Sequence, residues 1–237
     1  MKNQYFGDVN DYLKYGLLRA LTGRSRLSLA VCWMLTPDDG RTDGRFVEYL
    51  RQQDSWRAFD PDLYDALYDA VVVQGQRNVG AVPVTGLLPR ARFYDPLLPD
   101  DAAGRDRYFG TFWEMARGRD LVFFDPDNGM EVRSKRYGRR DSSKYLYWHE
   151  LVRAYKSGHS VLVYQHFPRE QRDAFVARMA QSMGGRTGEQ TVYSVRTSRV
   201  VYFLLVQEAT LETVEQAVRD VEQTWSDQFV IAQHECV

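Results

Sequence analysis

Apolar and polar positions along this chain follow two alternating rhythms. "DYLKYGLLRALTG" sets Tyr12, Leu13, Gly16, Leu17, Ala20 and Leu21 at helical spacing, and Gly23 supplies a stop. The next run, "LSLAVCWML" from Leu27 to Leu35, is continuously apolar and too short for a typical helix, which predicts a buried strand. Helical spacing returns in "GRFVEYLRQQ" and in "PDLYDALYDAVVV", where Pro61 suits a first turn. From Gln74 to Arg92 no pattern holds, apart from a short strand around Ala91 to Tyr94. "GRDRYFGTFWEMARG" then predicts a helix and "LVFF" (Leu121 to Phe124) a strand. "SSKYLYWHELVRAYKSG" predicts another helix, with Ser142 or Ser143 as its cap. "SVLVYQHF" reads as a buried strand and "REQRDAFVARMAQSM" as a helix. "QTVYSV" and "RVVYFLLV", joined by "RTS", form a hairpin. "TLETVEQAVRDVEQTW" closes the chain as a helix.

Strands alternating with helices predict an α/β fold, a Rossmann-like, doubly wound and mostly parallel sheet with a C-terminal antiparallel hairpin strand. The expected organisation is one domain over residues 1–237, with an irregular insertion at 74–104.

In such a sheet, ligands lie outside the carboxyl ends of the strands, where the strand order reverses. Three strands read as central, and the segments after them are "TPDDGRTDG", "DPDNG" and "QHFPR". If the strands are neighbours, Asp38, Asp39, Asp125, Asp127, Gln165, His166 and Arg169 share one rim. Each segment alone is also an ordinary turn, since Asp bonds its own backbone and Gly admits positive φ. Three polar-tipped strands together point to an enzyme. Arg169, ahead of the next helix, is expected to form an anion site with that helix's N-terminus. Lys14 and Asp11 are expected to reach the same rim, with Lys14→Ala removing activity at little cost in stability.

Composition narrows the options. Hydrophobic residues make up 44% and charged residues 27%, as in ordinary globular chains, so the sequence is long and apolar enough for a sizeable core. The net charge of −1 gives no global basic field, so any nucleic-acid partner must be held by a local patch. "RSKRYGRRDSSKY" supplies one: Arg133, Lys135, Arg136, Arg139, Arg140 and Lys144, interleaved with Tyr137 and Tyr145. Cys32 and Cys236 cannot form a disulfide framework and read as free thiols of a cytoplasmic protein. No signal-like or 18-residue apolar run occurs, so no membrane association is expected. Oligomeric state is not legible. No phosphate-binding glycine loop, zinc-type Cys/His spacing or nucleophile elbow is present.

A family resemblance adds to this reading. "YFGDVNDYLKYGLLRAL" resembles the "H-A-G-N-x-A-D-V-L-K-H" opening of the adenine-N6 methyltransferases that act on large-subunit ribosomal RNA, with Gly7, Asp11, Leu13 and Lys14 in step. "LVFFDPDNG" falls where that family has "L-I-L-I-D-P-P-Y", and "SVLVYQHFPREQRDAFVARM" is similar to its following strand and helix. The resemblance implies S-adenosylmethionine as cofactor and transfer to an amino group of a nucleic-acid base. Asp125, with Asp127 and Lys14, would be catalytic, Asp125 accepting a hydrogen bond from the target amine. Asp11, Gln165, His166, Arg169, Arg139 and Arg140 would hold the substrate, whose base is extruded from its stack. Asp38, Asp39 and Gly40 stand at the cofactor position, but "LTPDDGR" replaces the family's glycine-rich "T-H-A-G-A-G-R". Asp127 and Asn128 replace its second proline and its aromatic ring, so a stacking ring must come from elsewhere.

Two other chemistries fit the same residues. Asp38, Asp39, Asp125 and Asp127 together suit hard oxygen coordination of Mg²⁺, hence a nuclease or phosphoesterase. A descendant of the fold that lost its cofactor loop would instead bind nucleic acid without catalysis.

Overall fold

The structure, a computed structural model, describes residues 1–23, 27–40 and 44–236. Along the chain run α1 (Val9–Thr22), β1 (Leu29–Cys32), α2 (Gln53–Trp56), α3 (Pro61–Tyr68), α4 (Ala81–Val84), β2 (Ala91–Tyr94), α5 (Ala102–Ala116), β3 (Leu121–Phe124), β4 (Gly129–Met130), β5 (Tyr145–Leu146), α6 (Trp148–Lys156), β6 (Ser160–His166), α7 (Arg172–Thr187), β7 (Thr191–Arg196), β8 (Val200–Leu205), α8 (Leu211–Thr224) and β9 (Val230–Glu235). Seven of the strands form one sheet in the order β2-β1-β3-β6-β8-β7-β9; β4 and β5 pair separately.

The α/β expectation holds, with a sheet more mixed than anticipated. β2, β1, β3 and β6 are parallel neighbours, whereas β6–β8, β8–β7 and β7–β9 all pair antiparallel. The hairpin therefore inserts β8 between β6 and β7. The sequence reading stops at α8 and misses β9, which pairs with β7 from Thr191↔Glu235 to Arg196↔Val230. Its residues are mostly exposed, so this edge strand lacks the apolar run that marks the others. Cys236 is accordingly tied in, its N–H donating to the Gln190 carbonyl at 2.7 Å.

Alternation along the strands divides the interior into two layers. Leu29, Val31, Trp33, Leu121, Phe123, Leu162, Tyr202 and Leu204 face a layer with α1, α3 and α8. Ala30, Cys32, Val122, Phe124, Val161, Val163, Val201 and Phe203 face the other, with α5, α6 and α7. Both faces are covered, which is why the central strands read as unbroken apolar runs. Helix α1 is buried on most sides, with Tyr12 touching the rings of Tyr49, Trp56, Tyr64 and Trp225.

Several predicted boundaries shift. "GRFVEYLRQQ" gives a 3-10 turn (Glu48–Arg51) and then the short α2. α6 starts at Trp148, not at the serines: Ser142 and Ser143 lie in a 3-10 turn bonded to Asp100. Residues 74–104 are not wholly an insertion, because β2 is an edge of the main sheet. The strand predicted over Leu27–Leu35 is regular only to Cys32, because Met34 adopts φ +48°, a strained setting for a non-glycine residue. Chain order reverses at β1, which has β2 on one side and β3 on the other. That reversal places the crevice between the segments after β1 and β3. Among the described residues, no helix is long and apolar enough to cross a membrane.

Candidate functional site

Asp8 ends the loop before α1 and caps the helix, accepting from the N–H groups of Asn10 (2.8 Å) and Asp11 (3.0 Å). One turn inside the helix, Asp11 accepts from the Gly7 N–H and the Tyr15 hydroxyl, both at 3.1 Å. Gly7 has φ +75°, and an added Cβ would lie 2.3 Å from a Val71 methyl carbon, so only glycine fits this turn. The Lys14 ammonium bridges two carboxylates, 2.7 Å from Asp11 Oδ1 and 2.7 Å from Asp125 Oδ2. All three residues are buried. Lys14 and Asp11 thus do reach the carboxyl edge of the sheet.

Burial opposes the Lys14 charge, but Asp11 and Asp125 outweigh it and hold its pKa well above the usual range. One ammonium serves two acids, and burial pushes the Asp125 carboxyl up against the pull of Lys14 and the Met1 ammonium. Removing Lys14 would leave two desolvated carboxylates unpaired, so Lys14→Ala cannot be the structurally silent change expected from sequence.

Asp125 follows β3 directly, its N–H donating to the Cys32 carbonyl of β1 at 3.1 Å. The "DPDNG" loop is then fixed by Gln165, whose Oε1 accepts from Met130 N–H (2.8 Å). Its Nε2 donates to the carbonyls of Asn128 (3.1 Å) and His166 (2.7 Å). Gly129 (φ +108°) makes room, since a Cβ there would lie 2.3 Å from the Gln165 amide. Gln165 is buried and occupied by these bonds, which makes it a latch for the loop and not the substrate contact expected.

Residues Met1 to Gln4 lie along the segment that follows β1. The Met1 ammonium is 2.8 Å from the Asp125 carbonyl, 3.4 Å from the Met34 carbonyl and 2.7 Å from Asp127 Oδ1. Thr36 donates its N–H to the Met1 carbonyl (2.9 Å) and its hydroxyl to Asp127 Oδ2 (2.6 Å). Burial would raise the Asp127 carboxyl, but the ammonium and the Thr36 hydroxyl outweigh it and hold it below the usual range. Asp38 accepts from the Gln4 N–H at 3.1 Å and Asp39 pairs with Lys2. Asp38, Asp39 and Gly40 are exposed. Arg41 to Asp43 of the same turn lie outside the described residues.

Two expectations change here. The four carboxylates of the Mg²⁺ reading do not converge: Asp125 goes to Lys14, Asp127 to Met1 and Thr36, Asp38 to Gln4, and Asp39 to Lys2. Among the described residues, no group of three or more His, Cys, Asp or Glu is placed to hold a metal ion. Nor do the residues fit S-adenosylmethionine. The crevice between the ends of β1 and β3 holds the buried Met1 side chain and amine, and Asp38, Asp39 and Gly40 stand outside it.

Beside this closed crevice opens a cleft of about 270 Å³, lined among others by Asp8, Asp11, Lys14, Asp125, Pro126, Asp127 and Asn128. Tyr164, His166, Phe46, Arg199 and Val200 complete its aromatic and outer walls. Burial raises the Asp8 carboxyl, helped by the nearby Asp11 charge, to about 6. Partial burial lowers the His166 imidazole. Arg169 does not line the cleft; it is exposed, and α7 begins at Arg172 with Gln171 as its cap. Arg139 and Arg140 are exposed on the 131–144 loop and are also away from the lining. That loop is anchored on α5 by buried Arg105, which grips Glu150 (2.7 and 2.8 Å) and the carbonyls of Ser142 and Tyr145 (2.9 and 2.7 Å).

Met1, Asp8, Phe46, Tyr164 and Arg199 were not among the residues expected from sequence. Arg199 was within reach, since the hairpin lies beside the strand ending in His166. Phe46 carried no signal.

No family model and no curated protein matches this sequence. Among solved structures it is similar to that of protein LPL1258 from Legionella pneumophila, assigned to family DUF519. Identity is 11% over 98% of both chains, with a TM-score of 0.48, a likeness too slight to support any inference about fold or function.

Proposed function

We propose that this protein binds nucleic acid by taking one amino-bearing base into the 270 Å³ cleft, on a methyltransferase-like fold whose cofactor crevice is closed by its own first residues. The observation that carries the reading is Asp125, a buried carboxylate in the cleft wall held in place by Lys14. A carboxylate so placed is an acceptor for an exocyclic amine. Lys14 opposes the effect of burial on it and fixes its direction, and Asp11, braced by Gly7 and Tyr15, fixes Lys14. Tyr164 and Phe46 offer the flat apolar surface missing at Asn128.

The antiparallel strand beside β6 and the motifs around Lys14 and Asp125 agree with the resemblance to adenine-N6 methyltransferases. Methyl transfer is not part of the proposal, because the residues at the cofactor position do not suit S-adenosylmethionine. Volume argues the same way: about 270 Å³ lies just under the roughly 300–1,000 Å³ of ligand pockets, room for one base but not for a base and a cofactor together.

Calorimetry with adenosine and with inosine, which carries an oxo group in place of the amine, tests the reading. A buried acceptor left unpaired costs about 1–3 kcal/mol, so inosine should bind roughly 5- to 150-fold more weakly. Asp125→Asn should shrink that gap. Equal binding of the two nucleosides, or of neither, refutes the proposal. Tight binding of S-adenosylhomocysteine would show that Met1 leaves the crevice, and would restore the transferase reading.

A further inference from the structure

The cleft's charges are unevenly distributed. Its inner wall carries Asp8, Asp11, Asp125 and Asp127 against Lys14 and the Met1 ammonium, an acidic excess that favours hydrogen-bond donors and repels phosphate. At the outer wall the sign changes. Arg199 sits at the β7–β8 turn, fixed by its N–H to Thr197 Oγ1 (3.1 Å) and by the Thr197 N–H to the Val200 carbonyl (2.9 Å). Its guanidinium lies 4.2 Å from the centre of the Phe46 ring, and both side chains are exposed. Phe46 is itself tied to α1, its carbonyl accepting from the Val9 N–H at 3.0 Å. Among the described residues, Arg199 has no carboxylate partner, whereas Arg196, three residues earlier, is paired with Asp173.

We infer that Arg199, held over the Phe46 ring, is the phosphate-binding residue of this cleft, so that the ligand is a nucleotide with its base inside and its phosphate at the mouth. This rests on the base-binding reading above. Arg199 is exposed, so its N–H donors are open to a ligand at the mouth, and their fork matches two phosphate oxygens. The aromatic ring restricts the arginine before the ligand arrives, which reduces the entropy lost on binding. His166, across the sheet from Val200, borders the same mouth.

The test is calorimetry with adenosine, adenosine 5′-monophosphate and a short single-stranded oligoadenylate, on the parent chain, Arg199→Met and Phe46→Ala. The expected result is at least tenfold tighter binding of the monophosphate than of adenosine, weakening as salt rises. Arg199→Met should erase that preference, so that the monophosphate binds that variant no more tightly than adenosine does. Phe46→Ala should reduce the preference and weaken adenosine as well, because the same ring also faces the base. Arg199 is exposed at a turn, so unchanged melting should accompany its substitution. An oligoadenylate that binds more tightly than the monophosphate identifies a strand as the phosphate's source; weaker binding identifies a free nucleotide and overturns the nucleic-acid part of the reading above. If adenosine binds but the monophosphate gains nothing, or its gain survives Arg199→Met, the phosphate assignment fails while the base reading stands. If adenosine does not bind, both fall.

Discussion

Replacing Asp8 with Asn isolates the titration of one buried carboxyl. The parent group titrates at about 6 in the folded protein, chiefly because burial disfavours its charge. In the unfolded chain it titrates near its ordinary value of about 3.9. The folded state thus holds the proton more tightly, and folding is favoured by that proton below about pH 3.9. The benefit is lost as pH rises to about 6, beyond which the folded protein carries a desolvated charge. At about 1.36 kcal/mol per pH unit, the gap of about 2 units corresponds to roughly 3 kcal/mol. Asp8→Asn removes that penalty and keeps a side-chain oxygen for the Asn10 and Asp11 amides, since Asn caps helices as well as Asp. It also forgoes a negative charge at the N-terminus of α1, which is worth about 0.3–1 kcal/mol. The net expectation is a variant about 2 kcal/mol more stable than the parent at pH 8, with no advantage at pH 3.5. For a chain of this size that is a rise of roughly 4–8 °C in Tm. Urea unfolding of both proteins from pH 3.5 to pH 8 measures it. A difference that does not vary with pH, or a less stable variant at pH 8, refutes the account of Asp8.

Lys14→Met should destabilise by about 3–5 kcal/mol at pH 7 by stranding Asp11 and Asp125, as read by urea unfolding; a loss below 1 kcal/mol would show that the ammonium is not shared as described. Gln165→Ala frees the loop after Asp125, at a cost of about 1–3 kcal/mol. Faster amide exchange at Met130 should accompany it, and unaltered protection there counts against the latch. Gly7→Ala should lower Tm through both its positive φ and the Val71 contact, and a neutral result would contradict the turn geometry. Millimolar Mg²⁺ should leave Tm unchanged, because the four aspartates take separate partners; a clear rise would revive the metal reading.

The central sheet was legible because strands covered on both faces must be apolar throughout, as β1, β3 and β6 are. The edge was not, since β9 needs few apolar residues to pair. Lys14, Asp11 and Asp125 could be gathered from sequence because polar residues at strand ends and on a buried helix have few reasons to be there. What sequence could not show is how each charge is spent. Asp127 and Asp39 read as catalytic, cofactor or metal residues, yet their partners Met1 and Lys2 are over a hundred and nearly forty residues away. Gln165 looked like a rim residue because a buried amide that bonds three backbone groups has no sequence signature. The basic loop read as a nucleic-acid surface, but none of its arginines lines the cleft, and buried Arg105 anchors the loop to α5.

The docking of Met1 between Met34 and Asp127 also bears on the order in which the molecule assembles. The bond from its amine to the Asp125 carbonyl spans 124 positions of the chain. Contacts of such separation carry a large loop-closure cost, whereas α1 can form locally. Asp125 and Asp127, partners of Met1, follow β3, so the crevice closes after α1 and β1 exist. If folded molecules keep that hierarchy, the segment lifts while the sheet stays paired, as a unit of lower local stability. Exchange of the Thr36 amide, which donates to Met1, reads this opening directly. It should run faster than that of Val31 or Phe123 in the buried strands.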